Sequence, residues 1–312
     1  MSNLQALNPL TGAQVDLPPV TGLYHIESFS DEQGNLMYNH YYDDASIRDP
    51  WVYRPHELRL FLYHRVFLSC SPSGNQCIVL LQHRPVEELS FARLGDDHWT
   101  RIIDVEFLDK EDSFHNAVYN EKDGLFYVIA YDGSIYTLDL KSPSPVARKI
   151  MRNVIQFDDC VKYIVLTPGG NILQVWRYTD SRDSTNPIYV PPELAHEYYN
   201  PNQEVYTCQM DLYKVDIGEQ KIVRIASLEN CALFLGFGST LLLSTKDFSL
   251  LRPNCVYLTD DSFEDICLNR HNRQDMGIWD FKTGTIESIG DLQSKHPWLS
   301  FPSPVWITPS LC

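Results

Sequence analysis

No lysine or arginine precedes Arg48 in this 312-residue chain. A secretory leader needs a basic start followed by an apolar stretch, and an organellar transit peptide needs arginines. Neither is expected here. No run approaches the roughly 20 apolar residues of a membrane span, and no Asn-x-Ser/Thr acceptor occurs. These absences lead to the expectation of a cytoplasmic or nuclear protein. The eight cysteines include no C-x-x-C pair, which removes the commonest zinc and redox motifs. Cys70 and Cys77, in CSPSGNQC, sit opposite each other if Ser73-Gly74 centres a turn; reduced thiols are expected in an intracellular compartment. There is no G-x-G-x-x-G opening a helix, no G-x-x-x-x-G-K-[ST], no H-E-x-x-H and no G-x-S-x-G. The ten histidines are dispersed. No catalytic residue, cofactor site or metal ligand is assigned.

Charge is also lopsided: 41 acidic against 25 basic residues, a formal −16. Such a field repels phosphate backbones, so nucleic-acid partners are not expected. With 44% hydrophobic and 12% aromatic residues, the chain can bury a real core.

What the chain has in plenty is short apolar runs punctuated by turn residues. The clearest stretch runs from Cys231 to Ile289. Ala232–Gly236 and Leu241–Thr245 flank Phe237-Gly238-Ser239, a hairpin connection. Cys255–Thr259 and Met276–Phe281 follow, and four antiparallel strands in sequence would make one propeller blade. Upstream, Leu58–Ser69, Gln76–Gln82, Leu89–Leu94 and His98–Ile103 read as a second such sheet. Ser113–Tyr119, Leu125–Ala130, Ser134–Leu140 and Ala147–Arg152 read as a third, with Asp-Gly turns at 123–124 and 132–133. Tyr163–Thr167, Asn171–Tyr178, Thr207–Asp216 and Lys221–Ala226 read as a fourth. GSIYTLDL, MDLYKVDIGEQKI and MGIWDFKTGTI form a weak repeat. At roughly 50 residues per kelch-type blade, the expectation is an all-β propeller of four-stranded antiparallel blades, five to seven in number, in one domain over 1–312. No helix of any length is expected. The strand at Pro304–Pro309 is expected to close the ring by pairing near Leu7–Leu17, since an open ring leaves exposed edges.

Acidic doublets recur at 43–44, 87–88, 96–97, 158–159 and 260–261; as turn residues they read as caps. Tyr136, Trp176, Tyr213, Tyr257 and Trp279 read as core packing. Two long excursions, about 30–55 and 179–204, are rich in aromatics. Trp51, Tyr53, Arg54, Tyr189, Tyr198 and Tyr199 are the candidate partner-binding residues, because Trp, Tyr and Arg anchor interfaces.

The LFLG run, PNCVYLTDD, DMGIWDFKTGTIE and PVWITPS resemble the plant F-box-associated KIB-type β-propeller family. So do LNPLTGAQVDLPP, FARLGDDHWTRI, FHNAVYNEKDGLFYVIAYDGSIYTLDL and LQVWRYTD upstream. The resemblance implies a substrate-recognition propeller of the kind carried by F-box ubiquitin-ligase subunits. It supplies no catalytic residues. The propeller reading starts by Leu7, so an F-box is not expected in this sequence, nor is direct binding of a Skp1-type adaptor. The leading expectation is therefore a non-enzymatic protein-interaction module with a protein partner. The alternative is a propeller hydrolase acting on a glycan-like substrate, whose mark would be carboxylates converging on the central channel.

Overall fold

The computed structural model describes residues 4–8, 11–42, 49–70, 77–84, 88–102, 113–142, 144–154, 160–183, 203–262, 275–288 and 306. Strands β1 (Gln5–Leu7) and β2 (Gln14–Asp16) pair with each other. A three-stranded sheet follows, in the order β3 (Ile26–Ser30), β4 (Leu36–His40), β5 (Trp51–Tyr53). Helix α1 (Pro55–Leu62) leads into a four-stranded sheet of β6 (Tyr63–Leu68), β7 (Ile78–His83), β8 (Glu88–Arg93) and β9 (Thr100–Arg101). The next is β10 (Phe114–Asn120), β11 (Leu125–Ala130), β12 (Ile135–Asp139) and β13 (Val146–Met151). Then come β14 (Val161–Leu166), β15 (Ile172–Asp183), β16 (Gln203–Asp216) and β17 (Lys221–Ile225). The last sheet holds β18 (Cys231–Leu235), β19 (Leu241–Ser244), β20 (Cys255–Leu258), β21 (Gly277–Asp280) and β22 (Thr285–Ser288).

The packing follows from the period-2 alternation of side chains. In β7, Val79 and Leu81 join a core with Ile26 and Tyr38 of the preceding sheet and with Leu58 and Leu62 of α1. Its Ile78 and Leu80 turn the other way, onto Phe126, Val128 and Tyr136 of the following sheet. Ile129 and Ile135 then face Ile164. Tyr163 and Val165, from the same strand as Ile164, pack with Leu233, Leu235, Val256 and Trp279. Each core is thus shared by two consecutive sheets, which explains why strands such as β7 are apolar on both faces. Consecutive four-stranded antiparallel sheets stacked in this way form a β-propeller. The innermost strands β6, β10, β14 and β19 touch one another in turn.

Several expectations need correcting. Leu58–Ser69 is not one strand; Pro55 at the first helical position and Glu57, whose carboxylate accepts the Arg54 N–H at 2.7 Å, start α1. The presumed excursion at 30–55 contains β4 and β5, paired in register from Tyr38↔Tyr53 to His40↔Trp51. Of 179–204, residues 179–183 and 203–204 extend the long β15–β16 ribbon; the remainder lies outside the described residues. The last sheet is not a sequential meander. Its order is β19-β18-β20-β21-β22, because the β18–β19 hairpin folds to the inner edge and β20 runs parallel to β18 on the other side. The expected closing strand at 304–309 is described only at Trp306. Its indole donates to the Leu235 carbonyl at 2.8 Å and lies edge-on to Phe234, 4.9 Å away, while β1 and β2 pair together. The aromatic core residues sit as expected, with Tyr136, Trp176 and Trp279 buried and Tyr213 and Tyr257 half-buried.

Candidate functional site

Polar side chains on inner strands have nowhere to go but the centre of the array. Arg65 on β6, Tyr163 on β14, Arg177 on β15 and Thr207 on β16 converge there with Asp260 and Asp261, just past β20, and Asp275, just before β21. Arg177 bridges Asp261 at 2.7 Å and Asp275 at 2.8 Å. Arg65 reaches the other Asp261 oxygen at 2.7 Å and the Gly236 carbonyl at 2.8 Å. The Tyr163 hydroxyl donates to Asp261 at 2.9 Å. Asp275 also accepts the Thr207 N–H at 2.8 Å and its hydroxyl at 2.5 Å. Three different sheets are tied together by this network.

Burial would raise the Asp261 carboxyl, but the Arg65 and Arg177 guanidiniums, with the Arg65 and Tyr163 hydrogen bonds, hold it below the usual carboxylate range. Asp260 is different. Burial pushes it up to about 7 despite Arg177, and among the described residues its oxygens accept the backbone N–H groups of Ser262 at 3.0 Å and Asp275 at 2.9 Å. The doublet at 260–261 is therefore no surface cap; only Asp260 keeps the local Asp-to-backbone bond expected of one. Asp96 does behave as expected, accepting the Arg93 N–H at 2.8 Å. Doublets 43–44 and 158–159, and Glu87, lie outside the described residues.

Beside this network opens a cleft of about 640 Å³, lined among others by His64, Arg65, Arg84, His115, Tyr131 and Asp261. Its lining sets Arg65 and Arg84 against Asp180 and Asp261. Behind it, Lys162 lies 5.0 Å from the Tyr131 and Trp176 rings, a cation held over aromatic faces.

The chain belongs to the KIB1-4 beta-propeller family. The family model matches residues 1–280. Among curated relatives, all from Arabidopsis thaliana, it is similar to F-box protein SKIP23, 25% identical over 252 residues and 78% of this chain. It is also similar to Putative F-box protein At4g17565, 23% identical over 93% of the chain, and to F-box protein At2g17036, 24% identical over 74%. The chain spans 56%, 63% and 53% of those proteins' own lengths.

On this KIB-type propeller the predicted partner-binding residues separate. Trp51 is 56% exposed and its neighbour Val52 51%, on β5 at the edge of the first sheet. Tyr42 lies edge-on to Trp51 with ring centroids 6.4 Å apart. Val52 shares the outward face with Asn39 and Glu27, whereas Trp51 pairs with His40. Tyr53 is half-buried against Phe61 and His40, so part of it belongs to the core. Arg54 is exposed at the start of α1. Tyr189, Tyr198 and Tyr199 lie outside the described residues. Cys77 is buried and its thiol donates to the Cys70 carbonyl, Sγ to O 3.0 Å; both are free cysteines.

Sequence reasoning missed a cluster of histidines. His25, His40 and His83 meet at the seam between the first two sheets, the His25 ring 5.0 Å from each of the other two. Residues as far apart as 25 and 83 carry no local spacing that announces the cluster.

Proposed function

We propose that this propeller selects a protein target for a ubiquitin ligase of the F-box type, with the edge strand Trp51–Tyr53 as part of its recognition surface. The observation that carries this reading is Trp51, a large apolar ring more than half exposed on a strand that has no neighbour on its outer side among the described residues of this propeller. Edge strands with exposed hydrophobic side chains are normally blunted or covered, so one left open is suited to a partner. Arg54 flanks it, and the proposed anchors Tyr189, Tyr198 and Tyr199 would add to the same kind of surface. The axial acids do converge as the hydrolase alternative expects, and buried Asp260 is raised to about 7. Asp261 and Asp275, however, are both committed to Arg177, and Asp275 also to Thr207, which among the described residues leaves Asp260 without a second carboxylate free to work beside it. Acid–base work on a glycan needs carboxylate oxygens facing the substrate, and both oxygens of Asp261 are held by guanidiniums and the Tyr163 hydroxyl. The test is affinity capture from plant extract with the wild type, Trp51→Ala and Arg84→Glu. Trp51→Ala is expected to melt like the wild type and to lose capture. Removing one such anchor costs about 2 kcal/mol or more, roughly a thirtyfold loss of affinity. Capture that survives Trp51→Ala and disappears with Arg84→Glu would move recognition to the axial cleft and overturn the proposal for the edge strand.

A further inference from the structure

His25 is 2% exposed, and among the described residues neither of its ring nitrogens meets a partner in full hydrogen-bond geometry, the Arg84 backbone making only a weak approach; the buried Nε2 of His40 has none either. A buried polar atom left unpaired costs about 1–3 kcal/mol and calls for an explanation such as an ion. We infer that His25, His83 and Glu88 form a binding site for a divalent transition metal of the zinc type, at the seam between the β3–β5 sheet and the β6–β9 sheet.

Donor chemistry and second-layer bonds both fit. One ligand atom from each of His25, His83 and Glu88 lies within 4.8 Å of the others. In a tetrahedral zinc site with bonds of about 2.0–2.1 Å the ligand atoms stand about 3.4 Å apart, so side-chain rotations closing up to about 1.4 Å complete the geometry. His83 is already oriented. Its Nδ1 lies 2.7 Å from the Arg84 carbonyl, which can only accept, so the proton sits on Nδ1 and Nε2 carries the lone pair. That lone pair now accepts the Ser90 hydroxyl at 2.8 Å, a rotor free to swing away. A backbone carbonyl holding the far nitrogen is the usual outer-shell support of a metal-binding histidine.

Glu88 is supported in the same manner. Its Oε1 accepts Arg101 at 2.6 Å and both its oxygens accept the Tyr24 hydroxyl at 2.9 Å, leaving Oε2 the less committed oxygen. The carboxylate offsets the Arg101 charge beside it. His40, at the end of β4, stands beside His25 with ring centroids 5.0 Å apart and lies outside the three-ligand group. Imidazole with carboxylate suits zinc, nickel, cobalt and copper, and disfavours magnesium.

The experiment uses the untagged full chain, stripped with a chelator and dialysed to equilibrium against Zn²⁺ or, as a control, Mg²⁺. One zinc per chain is expected by elemental analysis, with a higher melting temperature in zinc than in chelator. The zinc absorption edge should show imidazole and oxygen ligands and no sulfur. His25→Ala and Glu88→Gln should each weaken zinc binding at least tenfold, while changes at the exposed His56 and His98 leave it unaltered. Glu88→Gln keeps the shape of the side chain, so it decides the matter if His25→Ala does not fold. Zinc uptake no greater than that of magnesium, sulfur ligation, or wild-type affinity in Glu88→Gln would overturn the site.

Discussion

Titratable side chains are where the burial in this propeller has its sharpest consequences. His25, His40, His64, His83 and His115 all have lowered pKa values, at about 2, 4, 3, 4 and 3, with burial the largest cause in each. The unfolded chain takes up protons near pH 6.5, before the folded one does. Stability from these groups is therefore full above pH 6.5 and falls as pH drops toward 4. Asp260 acts in the opposite sense. Its folded pKa of about 7 lies above the unfolded 3.8, so its share falls as pH rises from about 4 to 7. Five histidines outweigh one carboxyl, and urea midpoints are expected to fall between pH 7 and pH 4.5. A rising midpoint over that range would show that Asp260 dominates. Within the axial network, Asp261→Asn leaves Arg65 and Arg177 short of a buried counter-charge. Such a change typically costs about 3–5 kcal/mol, measurable by urea unfolding at pH 7.5.

At the scale of elements, the hairpin β21–β22 carries a close approach that only glycine permits. A Cβ on Gly277 would sit 2.5 Å from the Glu287 carbonyl oxygen and 2.8 Å from the Ile286 side chain. Gly277→Ala must push the two strands apart, and overpacking of this kind costs about 1–3 kcal/mol. A lowered denaturation midpoint with an unchanged urea slope is the expected result; an unchanged midpoint would mean that β22 yields freely. The elements also show why some reading of the sequence succeeded. Asp-Gly turns at 123–124 and 132–133 dictate their hairpins locally, with Gly124 and Gly133 at φ of 77° and 81°. Helix α1 is not expected, because LRLFLYHRVFL alternates well enough to pass for a strand, although Pro55 and Glu57 mark the start of a helix.

The whole molecule depends on how its last sheet is held. Trp306 places an indole against Phe234 and Tyr257 and donates to Leu235. Deleting residues 303–312 removes that plug. The melting temperature is expected to fall by a few degrees, since about 1 kcal/mol shifts a domain of this size by roughly 2–4 °C or less and the Trp306 ring, though 39% exposed, packs on two aromatic rings and makes one hydrogen bond. An unchanged transition would show that this segment is dispensable for the propeller. Inter-sheet bonds elsewhere, such as Gln174 to the Gly133 carbonyl at 2.9 Å and Thr240 to the Ile164 carbonyl at 2.6 Å, leave consecutive sheets joined.

By itself the sequence determined what depends on neighbours along the chain: the strands, most hairpins, the propeller class and the aromatic core, because period-2 patterning and turn chemistry act over a few residues. Tertiary structure decided the rest. The parallel β18–β20 pairing depends on which edge of β18 the hairpin takes, and no local residue encodes that choice. Asp260-Asp261 looks like any acidic turn until Arg65, at 196 positions' distance, and Arg177 are brought onto Asp261. His25 meets His83 only because two sheets stack, and stacking is driven by apolar area, which says nothing in advance about which polar groups it carries inward.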